Sequence, residues 1–379
     1  MVTANGLTSG PVYAVVLGQA PAGPDLMAAV QDIEIEQSID LASIVRIRLG
    51  LAETRDGTDW DMLKDDPFKP LTSLTVRVVL GSKPVTLINS YLTGQMAQFA
   101  DEPGRSTLEV IGLDATLLMN LEEKIRPWPN LSDSDIAQQI FADYPLQAQV
   151  SATPGSLRDP EGTPTQRSTD MRFVRRLAQR NGFECYVHPD PDSGSDTVYF
   201  GPPRPGDPHQ AVLTIGGGQT NNVSEFEVRY DMLRPTTVAA SALDVSSKTT
   251  QPVTVSDVSR QTQGRAGVLG RLTNPPLVRP AQTGLMHTND LHAMAQGVVD
   301  RASWAIIAEG TVGPDAGSLR PGLPLNIRGA GALLSGSYYV TRVTHSLGGQ
   351  GYLQRFQARR NTVDTTQREG YQEDPASAA

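Results

Sequence analysis

The clearest structural signal in the sequence is the stretch Ser168-Thr-Asp-Met-Arg-Phe-Val-Arg-Arg-Leu-Ala-Gln-Arg-Asn-Gly-Phe-Glu-Cys-Tyr-Val187. Apolar side chains recur in it at helical spacing, namely at Phe173, Val174, Leu177 and Ala178. Ser168, Thr169 or Asp170 can each cap the start, because their side-chain oxygens accept hydrogen bonds from free backbone N–H groups. Gly182 stops the helix, since glycine adopts the left-handed conformation at low steric cost. The stretch therefore predicts one amphipathic helix that runs into a strand.

The opposite face of this helix carries four arginines: Arg172, Arg175, Arg176 and Arg180. Charged faces of this kind are usually solvated surface that contributes little to stability. A second interpretation is a docking surface for an acidic partner or another subunit, because guanidinium forks suit carboxylates. Nucleic acid is a third, which the lack of interleaved aromatic residues disfavours. The four arginines are therefore candidate subunit or partner contacts.

The composition favours a loop-rich, largely β protein of several domains. The chain has 379 residues, of which 39% are hydrophobic, with 35 Gly and 28 Pro. Domains of about 100–200 residues imply two to four of them. The net charge of −9 argues against nonspecific binding to duplex DNA, which needs a basic surface to neutralise phosphates. No specific nucleic-acid partner is expected.

Compartment signals are few. Cys185 is the sole cysteine, so neither an intrachain disulfide nor a multi-cysteine metal site can form. Chains that fold in a reducing cytoplasm often have this composition. The N-terminus lacks a basic segment followed by an apolar core, and no apolar run reaches about 18 residues. We expect no signal peptide and no membrane span, and release inside a larger particle would be one route out of the cell.

Strand patterns fill the first part of the chain. Alternating apolar residues with Gly, Pro and Asp breaks recur between residues 12 and 113, which predicts antiparallel strands in a barrel or sandwich over 1–118. Residues 119–208 predict a small α/β domain. It contains a helix capped near Ser132, the arginine helix, and strands either side of a turn at 190–196.

Residues 209–364 return to strand signals and predict a second β module. Within it, residues 247–287 are rich in Ser, Thr, Gln and Pro, and are interpreted as a long loop or weakly structured insert. Thr288 or Asn289 then caps a helix with an apolar stripe, and two strands at 336–345 and 352–359 form a closing pair. Residues 365–379 predict a disordered tail. No internal repeat is visible by residue identity.

The sequence contains no convincing catalytic, cofactor or metal site. His287 and His292 are five apart, which does not place them on one helix face. The aspartates between 190 and 196 loosely resemble a calcium loop, but the closing Glu would fall at Gly201. Gly216-Gly-Gly218 lacks the residues of a phosphate loop, and no Gly-x-Ser-x-Gly element exists. A buried, inert Cys185 is the better interpretation of the lone thiol.

Two blocks resemble a known family. The first, Asp170-Met-Arg-Phe-Val-Arg-Arg-Leu-Ala-Gln-Arg-Asn-Gly-Phe-Glu-Cys-Tyr-Val187, is similar to the helix-Gly-strand signature of tail hub proteins. The second comprises Leu319-Arg-Pro-Gly-Leu-Pro-Leu-Asn-Ile-Arg-Gly329, Gly336-Ser-Tyr-Tyr-Val-Thr-Arg-Val-Thr-His345 and the strand at 351–361, and it resembles the family's closing segment. The family includes the phage late-control D proteins, the baseplate hubs of contractile phages and the N-terminal part of VgrG proteins.

The resemblance implies a mainly β fold, with two tube-like β-barrel modules flanking a small α/β domain. It also implies a homotrimer whose six barrels form a pseudo-sixfold ring. Two similar modules per chain in three chains present six similar faces, which match a sixfold tube to a threefold spike. Neighbours in the ring would cover exposed strand edges. Because residue 379 follows soon after the hub signature, the spike is expected to be a separate polypeptide.

The function expected from the resemblance is structural and non-enzymatic. Expected partners are the spike, a tail tube or tube-initiator protein and other baseplate proteins. The expected location is a phage virion tail or an injection-system particle, assembled in the bacterial cytoplasm. Three alternatives remain: a cell-wall hydrolase on a hub-like scaffold, a receptor- or carbohydrate-binding tail β protein, and an injected effector. An effector would need a toxic or catalytic module, and none is found.

Overall fold

The computed structural model describes residues 13–64, 66–81, 83–102, 104–153, 163–190, 193–216, 221–243, 247–259, 262–263, 267–269, 278–285, 288–349 and 351–363. The tail predicted over 365–379, together with His287 and Asp192, lies outside these residues. Among the helices described, none is long and apolar enough to cross a membrane.

The described residues form strands and helices in the following order. They are β1 Tyr13–Leu17, β2 Ala20–Pro21, α1 Pro24–Ala29, β3 Val30–Ser38, β4 Ile44–Gly50, β5 Ser73–Leu80, β6 Lys83–Gln98, β7 Thr107–Leu113, β8 Glu123–Pro127, α2 Asp133–Phe141, β9 Gln147–Val150, β10 Thr165–Thr169, α3 Asp170–Arg180, β11 Glu184–Pro189, β12 Asp196–Gly201, β13 Val212–Thr214, β14 Val223–Tyr230, β15 Thr237–Leu243, β16 Thr250–Val255, β17 Val278–Leu285, α4 Thr288–Ser303, β18 Ile306–Val312, β19 Pro324–Arg328, β20 Gly336–Gly348 and β21 Gly351–Arg360. The predicted class, mainly β with an α/β insert, is confirmed.

The first module consists of β1–β7, hydrogen-bonded in the order β3-β4-β7-β6-β5-β1-β2. Alternation along each strand sends one set of side chains inward, as at Val45, Ile47 and Leu49 of β4. β1 and β3–β7 all contribute buried residues to one core, so the sheet curls around it. Burial of these side chains stabilises the module, at about 25 cal/mol per Å² of apolar surface removed from water.

The first α/β unit, residues 115–201, lies between the two modules in sequence. A 3-10 turn at Ala115–Asn120 leads into two small sheets, β10-β8 and β11-β12-β9, which pack with α2 and α3. The predicted cap of α2 is confirmed as a capping box. Ser132 Oγ accepts from the Asp135 backbone N–H, and the Asp135 carboxylate accepts from the Ser132 backbone N–H.

The second module consists of β13, β14 and β18–β21, bonded in the order β14-β18-β21-β20-β19-β13. Each strand corresponds in sequence order to a strand of the first module, because β3-β4-β7-β6-β5-β1 follows the same path. One pairing differs, since β1 and β5 are antiparallel whereas β13 and β19 are parallel. The structure thus contains an internal repeat of topology that residue identity does not show.

The prediction of a loop or weakly structured insert over 247–287 is wrong for the described residues in that range. β16 and β17 lie within it and flank β15 in a separate three-stranded sheet. α4 covers this sheet through the predicted apolar stripe, in which Leu291, Ala295 and Val299 are buried. A second α/β unit, residues 237–303, therefore interrupts the second module between β14 and β18.

The two modules join edge to edge through β3 and β20, which pair antiparallel from Ser38↔Arg342 to Asp32↔Gly348. This joint makes one thirteen-stranded sheet of both modules. A buried polar chain crosses it. His345 Nδ1 accepts from the Tyr352 hydroxyl at 2.8 Å, and His345 Nε2 donates to Gln37 Oε1 at 3.1 Å.

Candidate functional site

The arginine helix of the sequence is α3, and its N-terminus is fixed by a buried carboxylate. Thr169 occupies the N-cap position, but its side chain makes no capping hydrogen bond. Asp170 instead accepts from Lys124 Nζ, the Tyr144 hydroxyl and Gln166 Nε2, each at 2.6 Å. Burial acts to raise the pKa of Asp170, but these donors outweigh it and hold the pKa below its ordinary value.

Two of the four candidate arginines are engaged close to α3. Arg180 forms a two-pronged ion pair with Asp133, the first residue of α2. Arg176 donates to Ser168 Oγ at 3.1 Å and lies over the Phe173 ring, 5.6 Å from its centroid. These contacts bind α3 to its own unit, so the two guanidinium groups are partly committed within the chain.

The other two arginines differ sharply from each other. Arg172 is exposed and lies 3.7 Å from a Glu123 oxygen, a pairing that contributes little at such exposure. Arg175 is partly buried, and its Nε and Nη2 atoms are buried without a hydrogen-bond partner among the described residues. Buried guanidinium nitrogens without an acceptor are costly, so Arg175 is the one of these four arginines with unmet donors among the described residues.

The two sequence blocks that carry the family resemblance contact each other. Glu184, in the strand after α3, accepts from the Tyr339 hydroxyl at 2.6 Å and forms an ion pair with Arg359. Gly322, in the Pro-Gly turn, has φ +82°, and a Cβ there would overlap the Tyr186 hydroxyl. The turn therefore needs glycine for its backbone conformation and for close packing.

A cleft of about 380 Å³ lies where these blocks meet α4 of the second α/β unit. Its lining comprises Ile39, Asp40, Arg175, Ala178, Gln179, Gly182, Phe183, Glu184, Cys185, Pro203, Asp300, Arg301, Trp304 and Arg359. Arg301 Nη1 donates to the Gln179 carbonyl at 2.8 Å, which ties α4 to the C-terminal turn of α3. The cleft is thus built between structural units and carries charges of both signs.

Two carboxylates of this cleft are held by internal donors. Asp300 accepts from the Ser259 hydroxyl at 2.6 Å and from the Ser259 backbone N–H at 2.8 Å. Burial raises the pKa of Glu184, while Arg359 and the Tyr339 hydroxyl act in the opposite direction. These contacts orient both groups toward the protein, which suits a structural role at the junction.

The thiol and the turn carboxylate that could carry chemistry occupy structural positions. Cys185 is buried, as expected, and burial raises the pKa of its thiol to about 12. Asp190 accepts from the backbone N–H and the hydroxyl of Ser193 in a hairpin turn. Within the described ranges, no group of three His, Cys, Asp or Glu side chains is placed to hold a metal ion.

An open strand edge is the feature that sequence patterns missed. Residues 93–99 are exposed one after another, and β6 pairs beyond Leu92 with β7 alone among the described strands. Among the described strands, β14 likewise pairs only with β18. Unpaired backbone groups at such edges are templates for another strand. Partner order along a sheet is nonlocal, so no sequence pattern signals it.

The fold and this geometry can be set beside known proteins. The sequence profile of the family described as the Alg8 N-terminal domain matches residues 20–348. The chain belongs to this family. That description specifies no reaction and no substrate. No curated protein sequence matches the chain significantly.

Solved structures with the same fold include phage tail proteins and a secretion-system component. The tail protein from Neisseria meningitidis MC58 has a TM-score of 0.67 at 14% identity, covering 94% of this chain and 99% of that one. The prophage MuSo2 43 kDa tail protein from Shewanella oneidensis has a TM-score of 0.60 at 14% identity, covering 93% and 98%. The E. coli c3393 protein, described as a component of the type VI secretion system, has a TM-score of 0.54 at 14% identity, covering 91% and 76%. The predicted resemblance to tail hub proteins is confirmed in the fold.

Proposed function

We propose that the chain is a structural hub protein of a phage tail or contractile injection system. In this role it would form a homotrimer that joins a sixfold tail tube to a threefold spike. The observation that carries the proposal is the repeated module. Two modules of the same strand order lie side by side in one sheet, so three chains would present six comparable faces.

Agreement of fold over nearly the whole length supports the same role. The alignment with the Neisseria tail protein covers 94% of this chain and 99% of that chain, so the likeness includes both modules. The c3393 protein is described as structurally similar to phage tail proteins and as part of a secretion system. In the proposed role, the chain would be the adaptor at the end of the tube in either kind of particle.

A hub role is tested in the parent particle. Deletion of the gene should abolish tube-containing particles, and an epitope tag on the chain should place antibody label at the spike end of intact particles. Purified chain mixed with the particle's spike protein should give a complex with three copies of each. Label along the whole tube, or normal particles after deletion, would exclude the proposed role.

We further propose that the chain is not an enzyme. The cleft carboxylates Glu184 and Asp300 are both held by donors of the chain, which supports a structural role for the cleft. A zymogram on purified peptidoglycan tests the hydrolase alternative. Lysis bands that disappear in Glu184→Gln but persist in Asp133→Asn would establish a hydrolase, and no band at any loading is the expected result.

The arginine contact is proposed for Arg175 in particular. Its buried Nε and Nη2 atoms lack a partner in the described structure, whereas Arg172 lies on the open surface. A carboxylate of another baseplate component entering the cleft would satisfy it. Arg175→Gln should weaken incorporation of the chain into particles, and Arg172→Gln is the matched control. Equal incorporation of both variants would remove Arg175 from the interface.

A further inference from the structure

The repeat of topology can be followed residue by residue. In the first module, hydrogen-bonded neighbours run from Ile35 to Val45, then to Gly112, then to Leu92. In the second module the same path runs along Val228, Ala308, Ala358 and Val340. In β6 and in β20 a one-residue bulge follows at once, at Thr93 and at Thr341. Leu92 therefore corresponds to Val340, and Ile35 to Val228.

This correspondence concerns the edges of β20 and β6 that follow their bulges. The joint between the modules uses this edge of β20 but not the equivalent edge of β6. Before its bulge, β20 pairs with β19, and after its bulge it pairs with β3 of the first module. Before its bulge, β6 pairs with β5. After its bulge, β6 has only β7 beside it among the described strands. The segment of β6 that corresponds to the joining part of β20 is thus left open.

The open segment has the composition of a strand edge that pairs with another strand. Residues 93–99 read Thr-Gly-Gln-Met-Ala-Gln-Phe, without a charge, and each is exposed. Met96 and Phe99 are 60% and 56% exposed. Proteins normally protect free edges with charges, prolines or short strands. An uncharged edge with exposed large apolar side chains is therefore an association surface.

The complementary edge is β14, which corresponds to β3. Inward-facing Ile33 and Ile35 of β3 are 1% and 0% exposed, because β20 covers that side of the first core. Their counterparts Phe226 and Val228 on β14 pack against the core of the second module, here called the second core, but stay only partly buried. The second core is thus open at the position where the first core is closed by a strand of the other module.

We propose that β14 of one copy pairs antiparallel with the open segment of β6 in a second copy, repeating between chains the β3–β20 joint within the chain. The proposal deepens the proposed function by naming the strands that would build its ring. His345 lies opposite Ile35 and is four residues beyond the bulge at Thr341. Ala97 is likewise four residues beyond the bulge at Thr93. Val228 therefore lies opposite Ala97, Glu227 opposite Gln98, and Phe226 opposite Phe99.

Side-chain packing agrees with this register. Leu347 belongs to the second module, yet it packs in the core of the first, opposite Ile33. Phe99, the residue that follows β6, holds the corresponding position, so it would enter the core of the second module in the next copy against Phe226. Within the chain the Phe99 ring contacts Trp60, with ring centroids 5.1 Å apart, yet Phe99 stays 56% exposed. Aromatic pairs directly across two strands are favourable, so contact with Phe226 would bury the part of Phe99 that is exposed in the single chain. Ala97 would face the same core beside Val228.

The register is tested by disulfide trapping in the full-length chain. Glu227→Cys with Gln98→Cys places the two thiols directly opposite on the outer face. Glu225→Cys with Met96→Cys uses the same strands and face, but lies four residues out of register. We expect the first pair alone to form reducible oligomers that end at one largest closed species. Equal trapping by both pairs, or none by the first at micromolar concentration, would overturn the proposal.

A second pair of variants tests the buried face without disulfides. Ala97 and Met96 are adjacent and both exposed in the single chain, but only Ala97 would face the neighbouring core. Ala97→Lys should abolish self-association measured by native mass spectrometry, and Met96→Lys should retain it, with unchanged circular dichroism in both. Identical behaviour of the two variants would refute the pairing.

These outcomes separate the pairing from the hub role. Closed oligomers of the in-register pair that bind neither tube nor spike would leave the pairing standing and remove the hub function. Particles that assemble normally with Ala97→Lys would remove the pairing and leave the hub function intact.

Discussion

Acid should weaken the chain through one buried imidazole, His345, at the joint between the modules. His345 is fully buried between Tyr352 and Gln37, whose side-chain oxygens lie 2.8 and 3.1 Å from its two ring nitrogens. Gln37 Oε1 can only accept, so Nε2 carries the proton and Nδ1 accepts from the tyrosine. Burial lowers the pKa of His345 to about 3, because the charged form would lose its hydration.

The direction and size of this change in stability follow from the difference in proton binding between the folded and unfolded states. In the unfolded chain the imidazole has an ordinary pKa of about 6.5, so below that pH the unfolded state binds a proton that the folded state excludes. The contribution of His345 to stability is therefore constant above about pH 7 and falls as the pH drops through 6.5 toward 3. With about 1.36 kcal/mol per pH unit, His345 alone lowers the free energy of unfolding at pH 5 by about 2 kcal/mol relative to pH 7.5.

The assay compares His345→Gln with the parent chain by urea unfolding at pH 7.5 and pH 5. A glutamine can accept from Tyr352 and donate to Gln37 but does not titrate in this range. Taking the difference between the two proteins cancels every other titrating group, including His188, whose pKa burial also lowers. The parent should lose about 2 kcal/mol more than the variant over this interval. Equal losses would show that His345 is charged, or hydrated, in the folded chain.

Three further predictions concern single positions. Gly322→Ala should destabilise by about 2–4 kcal/mol, since a Cβ at φ +82° would overlap the Tyr186 hydroxyl, whereas Gly313→Ala has free space and should change thermal unfolding little. Burial raises the pKa of Asp196 to about 6, so stability falls as the pH rises from about 4 to 6. Asp196→Asn should therefore stabilise by up to about 3 kcal/mol at pH 7.5 and by little at pH 4 in urea titrations. Arg175→Met should raise the stability of the isolated chain by about 1 kcal/mol in the same assay, because it removes an unsatisfied guanidinium.

The elements that the sequence predicts correctly are those that depend on residues close together in the chain. The apolar spacing of α3 and the Ser132 cap of α2 each depend on residues within one or two turns, and both elements form where the patterns place them. The same holds for the closing pair of strands, β20 and β21. The N-cap of α3 shows the limit of this reasoning. Asp170 was a cap candidate, but its carboxylate is taken by Lys124, 46 residues away in sequence.

Strands that break local rules were missed for a physical reason. β16 and β17 contain Pro252 and Pro280, which lack a backbone donor and argue against a strand in a sequence pattern. Both strands lie at the edges of their sheet, with β15 between them, and an edge tolerates proline because one side of the strand needs no donor. Edge position depends on partners that sequence alone does not give, so the insert was mistaken for a loop.

The observed joint within the chain and the proposed joint between chains differ in their buried polar groups. Within the chain the joint encloses the polar pair Gln37 and His345, which acid disrupts. Between chains the corresponding positions are Tyr230 and Ala97, so that joint contains no imidazole and no amide pair at this point. Acidification should therefore weaken the fold of each chain before it weakens contacts between chains. Oligomers of the variant with Glu227→Cys and Gln98→Cys should persist after the disulfide is reduced. Native mass spectrometry at pH 5 should still detect them. Dissociation into folded monomers at pH 5 would contradict this order.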